Sequence, residues 1–163
     1  MPFDTPSDTR SVVRPTAQLS LKGRALRLLS GREHSRHELL QKLRKFEEAP
    51  GEIDRVLDEL QGKGFISEQR VIESVVNRRS GKLGAARIRQ ELQGKGLDRD
   101  AVTLAVAGLQ ATELERARDI WRRKFGEPTG DPKERGKQMR FLATRGFSGD
   151  TIRRVLTSIS DEE

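Results

Sequence analysis

Apolar residues recur in this chain with a helical spacing that occurs three times. Ten residues beyond Leu43, Leu92 and Leu142 the chain is apolar, and it is apolar again three, four and seven positions further on. The resulting quartets are Ile53/Val56/Leu57/Leu60, Val102/Ala105/Val106/Leu109 and Ile152/Val155/Leu156/Ile159. This spacing places four side chains on one face of a helix. Because the starting leucines are 49 and 50 residues apart, the pattern predicts stacked repeats of about three short helices each.

We therefore predict an all-α fold in which three tandem three-helix repeats form an elongated array. Residues 1–18 contain three prolines among Ser, Thr, Asp and Arg and have no apolar period, which predicts a disordered tail. The first repeat is predicted at 19–66, the second at 67–111 and the third at 112–163.

Capping residues precede several of the predicted helices. Ser35 followed by Glu38 has the spacing of a capping box, and Pro50 suits the first turn of the next helix. Further N-caps are predicted at Ser67, Asp98, Thr112 and Asp131, the last followed by a proline at the first helical position.

One repeated sequence favours a different architecture. Leu-Gln-Gly-Lys-Gly occurs at 60–64 and at 92–96, an offset of 32 residues that is close to the period of two-helix solenoids. The apolar quartets do not follow this offset. We therefore interpret both copies as helix C-termini at inequivalent places in the three-helix repeats.

Composition narrows the classes of function. Hydrophobic residues make up 33% and charged residues 35% of the chain, which favours several small cores over one large core. A net charge of +7 suits a polyanionic partner, either nucleic acid or an acidic protein surface. The absence of cysteine excludes disulfides, and no stretch has the length of a membrane span. We expect a cytoplasmic monomer.

The sequence contains no recognisable catalytic constellation. His34 and His37 lack further ligands at metal-binding spacing and are predicted to be solvated near a helix cap. The glycines at 126, 130 and 136 do not form a phosphate-binding loop, and Trp121 is predicted in the core. We expect no enzymatic activity, no cofactor and no metal.

Basic side chains cluster at equivalent helices of the second and third repeats. Arginine presents a planar fork of donors that suits phosphates or carboxylates on a partner. The candidate partner-binding residues are Arg78, Arg79, Lys82, Arg87, Arg89, Arg116, Arg118, Arg122, Arg123 and Lys124.

Several segments occur in a characteristic order and spacing. They are Phe65-Ile66-Ser67-Glu68-Gln69-Arg70-Val71-Ile72, Val75-Val76-Asn77-Arg78-Arg79, Gly84-Ala85-Ala86-Arg87-Ile88-Arg89-Gln90-Glu91-Leu92, Lys95-Gly96-Leu97, Leu142, Arg145-Gly146-Phe147 and residues 152–156. Over roughly residues 19–160 this order resembles the bacterial RecX regulators of the RecA recombinase. The chain departs from the family pattern at Glu47-Glu48, where the other two repeats have Gly-Leu or Gly-Phe.

This resemblance implies a non-enzymatic protein of homologous recombination, DNA repair and the SOS response. Members of the family bind the RecA–DNA filament in its groove, bridge protomers, and generally restrain ATP hydrolysis, strand exchange and co-protease activity. We also expect non-specific contact with single- or double-stranded DNA, because the chain is basic.

The alternative function is that of a helix-turn-helix transcription regulator formed around residues 35–67. A nuclease is a third hypothesis.

Overall fold

The computed structural model describes residues 18–161. The predicted tail lies outside this range, apart from its last residue. Within the range every regular element is helical, and the α-helices are α1 Leu21–Gly31, α2 Arg36–Leu43, α3 Glu52–Gly62, α4 Glu68–Arg79, α5 Ala85–Gly94, α6 Arg99–Gln110, α7 Glu113–Lys124, α8 Pro132–Thr144 and α9 Gly149–Asp161. A single 3-10 turn, Arg44–Phe46, follows α2.

Three separate hydrophobic clusters confirm the three-helix units. Unit one comprises α1–α3, unit two α4–α6 and unit three α7–α9, and each unit has its own buried cluster. The apolar quartets lie on α3, α6 and α9, where every member is buried except the half-buried Val56 and Ala105. Trp121 is 2% exposed in the core of unit three. The periodicity therefore predicted the fold class correctly.

Side-chain caps start four of the described helices where the sequence predicted them. The Ser35 hydroxyl accepts a hydrogen bond from the Glu38 N–H at 3.1 Å, and the Glu38 carboxylate accepts one from the Ser35 N–H at 3.2 Å, which completes a capping box. Cap bonds are also formed by Ser67, Asp98 and Asp131.

Two predicted helix starts differ in detail. Thr112 occupies the N-cap of α7 as predicted, but its hydroxyl donates to the Leu109 carbonyl in the last turn of α6 and accepts no backbone N–H of α7. Pro50 lies before α3, which begins at Glu52 after a glycine with a left-handed backbone. The reason is that Glu47 accepts a bond from the Ile53 N–H at 3.1 Å and so caps the helix from further back.

Both copies of the repeated pentapeptide end helices, as predicted. The first ends α3 at Gly62 and continues to Gly64, which has a φ of 82°. The second ends α5 at Gly94 and continues to Gly96, with a φ of 66°. The two helices are the third of unit one and the second of unit two, so the positions are inequivalent.

His34 is buried, contrary to the prediction that both histidines are solvated. Its side chain is 2% exposed, with Nδ1 3.0 Å from the Arg32 carbonyl oxygen and Nε2 3.1 Å from Lys42 Nζ. Burial lowers the pKa of His34, which favours the neutral ring. His37 is exposed, as expected.

A cationic surface at the joint of units two and three

Units two and three are joined through backbone hydrogen bonds between their second helices. The Gly84 N–H donates to the Arg145 carbonyl at 2.8 Å, and the Ala86 N–H donates to the Gly146 carbonyl at 3.3 Å. A Cβ atom at residue 84 would collide with the Gly146 carbonyl and lie 2.6 Å from the Phe147 nitrogen. The N-terminus of α5 therefore packs directly on the C-terminus of α8, and a glycine is required there.

A buried carboxylate strengthens this joint. Glu113 is 8% exposed, and it accepts bonds from the Ala85 N–H and from the Thr151 hydroxyl, each at 3.2 Å. A negative charge near the first turn of α5 is favoured by the helix dipole. Glu113 therefore links the start of α5 to α9 in the next unit.

The joint between units one and two repeats the same arrangement. The Ser35 hydroxyl donates to the Lys95 carbonyl at 2.6 Å, and Lys95 Nζ donates to the Glu38 carboxylate at 3.0 Å. A Cβ atom at Gly96 would lie 2.7 Å from that of His37. The second helices α8, α5 and α2 thus follow one another, with the C-terminus of each helix against the N-terminus of the next.

Glu38 is ionised within this first joint. Partial burial opposes its negative charge, but hydrogen bonds from Arg32, Lys95 and the Ser35 N–H outweigh that effect and lower the pKa of Glu38 from 4.5 to about 2. The carboxylate is therefore charged over the whole range in which the protein would operate.

Three of the candidate arginines bind backbone carbonyls across the second joint. Arg116 donates to the Ser80 and Leu83 carbonyls, each at 2.8 Å, and burial lowers its pKa while Glu113 opposes that change. Arg123 donates to the Gly81 carbonyl at 2.9 Å, and Arg87 donates to the Thr144 carbonyl at 3.0 Å. The half-buried Arg116 therefore has a structural role, whereas Arg87 and Arg123 remain exposed.

Other candidates lie apart from this joint or are already paired. Arg78 and Arg79 both bind the Glu91 carboxylate, at 3.2 and 3.1 Å. Arg118 is half-buried and donates to the Ser158 hydroxyl at 3.1 Å. Arg89 and Arg122 are exposed on α5 and α7.

The remaining candidates Lys82 and Lys124 lie at the same joint as three further cations, two on α8 and one directly after it, that are not among the predicted residues. Phe141 lies at the centre, with Arg145 4.5 Å and Lys124 5.7 Å from its ring centroid. Beside it is an open groove of about 460 Å³. We name the set around this ring and the turn at 81–83 the junction surface, and it comprises Lys82, Arg87, Arg123, Lys124, Lys137, Arg140 and Arg145.

Little negative charge opposes the junction surface. Among the described residues, the one ion pair to it joins Lys137 and Glu134 at 3.4 Å. Lys137 and Arg140 are three residues apart on α8, a spacing that marks one helix face. This spacing can be read from the sequence, although neither residue is among the predicted candidates.

The surface of α3 has the opposite charge. Its exposed side chains include Asp54 and Asp58, which pair with Arg36, and Glu59, which pairs with Lys22 and Lys63. A DNA major groove would repel such a face, so α3 lacks the character of a recognition helix.

Residues 18–161 contain neither a cluster of metal ligands nor a helix that could span a membrane. No group of three or more potential metal ligands occurs in that range. None of its helices has both the length and the apolar character required to cross a bilayer.

Comparison with known proteins identifies all three units. Models of the first, second and third three-helix domains of RecX match residues 22–60, 67–106 and 111–156. The chain is 55% identical over 146 residues to the regulatory protein RecX of Leptothrix cholodnii, covering 90% of this chain and 92% of the relative. It is 45% identical over 146 residues to the RecX of Herminiimonas arsenicoxydans, covering 90% and 97%.

Solved structures agree in fold. The crystal structure of RecX from Lactobacillus salivarius superposes with a TM-score of 0.72 at 21% identity, covering 86% of this chain and 94% of that one. A second crystal structure of a regulatory protein RecX gives 0.67 at 23% identity, covering 86% and 71%. With three matching domain models and relatives of such identity over most of its length, the chain belongs to the RecX family of regulatory proteins.

Proposed function

We propose that this protein is a non-enzymatic, cytoplasmic modulator of the RecA recombinase. In this proposal it binds the RecA–DNA filament in its groove as a monomer, bridges protomers, and restrains ATP hydrolysis, strand exchange and co-protease activity. The first contacts come from the junction surface, with Arg89 and Arg122 as further contacts. Arg78, Arg79, Arg116 and Arg118 support the shape of units two and three.

The observation that carries the proposal is the junction surface itself. Seven cations lie around Phe141 and the turn at 81–83, with one carboxylate paired to them among the described residues. Backbone hydrogen bonds across the joint fix units two and three relative to each other, so little ordering of the two units remains to be lost on binding. Such a surface suits carboxylates of a protein filament and phosphates of the DNA that it encloses.

A chain of three units also suits a repetitive partner. Helices of 11–13 residues measure about 15–20 Å, so units in series reach several sites on neighbouring protomers. Several weak contacts on one connected body increase the overall affinity through effective concentration. We therefore expect tight binding to assembled filaments and weak binding to free RecA.

A pull-down tests the partner and its state together. The protein is incubated with RecA in the presence and absence of single-stranded DNA and a non-hydrolysable ATP analogue, at low and high salt. The proposal expects retention of assembled filaments, weakening as salt rises because charges are screened. Unchanged ATPase and strand exchange at stoichiometric protein, over that same range of salt, would overturn it.

Charge reversal tests the surface. Lys82 and Arg140 are exposed and form no side-chain hydrogen bond or ion pair with any described residue, so their substitution leaves the joint intact. The double variant Lys82→Glu/Arg140→Glu is expected to weaken filament binding by about tenfold or more. The matched control is Arg55→Glu/Arg99→Glu, which changes the net charge equally at exposed positions of α3 and α6.

The two variants test where the filament contact lies, and a selection experiment tests the transcription-regulator alternative. Equal filament binding by both variants would place the contact elsewhere on the molecule. Selection of a defined motif from random duplex DNA would favour the alternative, in spite of the acidic surface of α3.

A further inference from the structure

Unit one contains a second cationic groove, distinct in its lining from the junction surface. It runs between α1 and the segment formed by α2 and the 3-10 turn, is open to solvent, and has a volume of about 1060 Å³. This volume is at the upper end of the range of about 300–1,000 Å³ that is usual for ligand-binding clefts. All the residues that line it belong to unit one.

The floor of this groove is apolar. Leu43 is fully buried there, Leu28 and Phe46 are half-buried, and Leu19 at one end is 44% exposed. Of these side chains, Leu19, Leu28 and Phe46 present hydrocarbon surface to the groove. Covering it with an apolar group from a partner would be favourable.

The rim is cationic and has no carboxylate. Among the described residues, no Asp or Glu lines the groove. Its six basic lining residues are Arg24, Arg27, Arg32, Lys42, Arg44 and Lys45. Only Arg32 among them forms an ion pair with a described residue, namely Glu38 at 2.7 Å. Arg27 and Arg44 are exposed, and their guanidinium groups have no ion pair within the described part of the chain.

Two of the rim cations are held in place by neutral side chains. Lys42 Nζ lies 3.1 Å from the buried His34 Nε2, whose other nitrogen faces the Arg32 carbonyl at 3.0 Å. The Arg24 guanidinium lies 3.6 Å from the centroid of the Phe46 ring. These contacts fix the two positive charges beside the apolar floor without neutralising them.

We propose that this groove binds an acidic protein segment that carries bulky apolar side chains at its centre. The carboxylates of such a segment match the arginine forks of the rim, and its apolar side chains cover the floor. A single-stranded nucleic acid fits less well, because its bases need open aromatic faces and Arg24 already covers the one aromatic ring in the lining. The proposal concerns unit one and does not depend on RecA being the partner.

Fluorescence anisotropy with the full-length protein tests this assignment. The probe is a fluorescein-labelled peptide in which Asp and Glu flank a Leu-Phe pair, and the comparison peptide has Ser-Ser in place of that pair. We expect saturable binding of the first peptide and at least about tenfold weaker binding of the second, since two apolar side chains lose their contacts. Absent binding of the first peptide, or equal binding of both, overturns the proposal.

Variants locate the site. Arg27→Glu/Arg44→Glu is expected to weaken peptide binding at least about tenfold. Arg55→Glu/Arg99→Glu, with the same change of charge, is expected to leave it unchanged. Because the substituted side chains are exposed, both variants should unfold at the wild-type temperature. Equal loss of binding in the two variants would mean that net charge alone attracts the peptide, which refutes a specific groove.

A thymidine oligonucleotide distinguishes the other class of partner. The proposal expects it to bind more weakly than the Leu-Phe peptide and to compete poorly with it. If the oligonucleotide binds more tightly, and Arg27→Glu/Arg44→Glu abolishes that binding, the groove is a nucleic-acid site and the peptide assignment is wrong.

Discussion

Replacing Gly84 with alanine should separate units two and three, although the substitution adds one methyl group. The backbone at Gly84 has a φ of −79° and a ψ of 166°, which alanine adopts without strain. The added Cβ would, however, meet the Gly146 carbonyl and the Phe147 nitrogen, which are backbone atoms. Unlike the end of a flexible side chain, these atoms cannot turn aside, so the two helices must move apart.

The expected cost follows from the contacts that are lost. Overpacking costs about 1–3 kcal/mol. The two backbone hydrogen bonds across the joint contribute about 0.5–1.5 kcal/mol each. Alanine also restricts the unfolded chain, which returns about 0.4–1 kcal/mol. The free energy of unfolding should therefore fall by about 3 kcal/mol, a large fraction of the stability of a small protein.

Urea unfolding followed by far-UV circular dichroism measures this change, and hydrogen exchange locates it. The amides of residues 84 and 86 donate across the joint, so their protection should fall far more than that of α6. Gly108→Ala is the matched control, since nothing lies within 4 Å of its added Cβ in α6, and it should stabilise the protein by about 0.5–1 kcal/mol. A Gly84→Ala protein within about 0.5 kcal/mol of wild type would refute the reasoning.

Three further substitutions test the joints and cores. Glu38→Gln should destabilise the protein by about 1–2 kcal/mol at neutral pH, because Lys95 loses its charged partner. Since the pKa of Glu38 is lowered to about 2, wild type should lose this contribution as pH falls from about 4.5 to 2, and a urea titration of the variant should show less loss there. The Trp121 N–H donates to Gln138 at 2.9 Å, so Gln138→Leu leaves it unpaired in the core at a cost of about 1–3 kcal/mol in the free energy of unfolding. In a double-mutant cycle, adding Trp121→Phe should recover part of this hydrogen-bond penalty. Leu57→Ala should cost about 2–5 kcal/mol by calorimetry or urea unfolding, since the side chain is fully buried.

The fold was predictable because its determinants are local and periodic. Each quartet lies within a single helix, so its buried face can be recognised from the spacing of Ile53 and its equivalents alone. The capping box at Ser35 and Glu38 is also a local signal, and the structure confirms it. Local signals mislead where a distant group competes, as where Glu47 caps α3 and moves its start beyond Pro50.

The joints and the candidate surfaces could not be predicted in the same way. Ser35 and Lys95 are 60 residues apart in sequence, and nothing near either residue indicates that the serine hydroxyl binds the lysine carbonyl. Gly84 has the sequence context of an ordinary helix start. That no side chain fits at this position becomes evident only from the packing of α8 against it. Burial of His34 depends likewise on how α1 and α2 pack, which its sequence neighbours do not specify.

The outer ends of the three second helices lack the groups that make each joint. At the start of α8, Pro132 has no N–H to offer, and the Asp131 carboxylate already accepts the Lys133 N–H. After α2, the chain enters the 3-10 turn and has Glu47 at the position that the left-handed Gly96 and Gly146 occupy after α5 and α8. A head-to-tail contact that remained available at both ends would link copies of the protein into an open-ended fibre. Because the start of α8 and the segment after α2 lack these groups, the joint within the described residues forms between units of one chain.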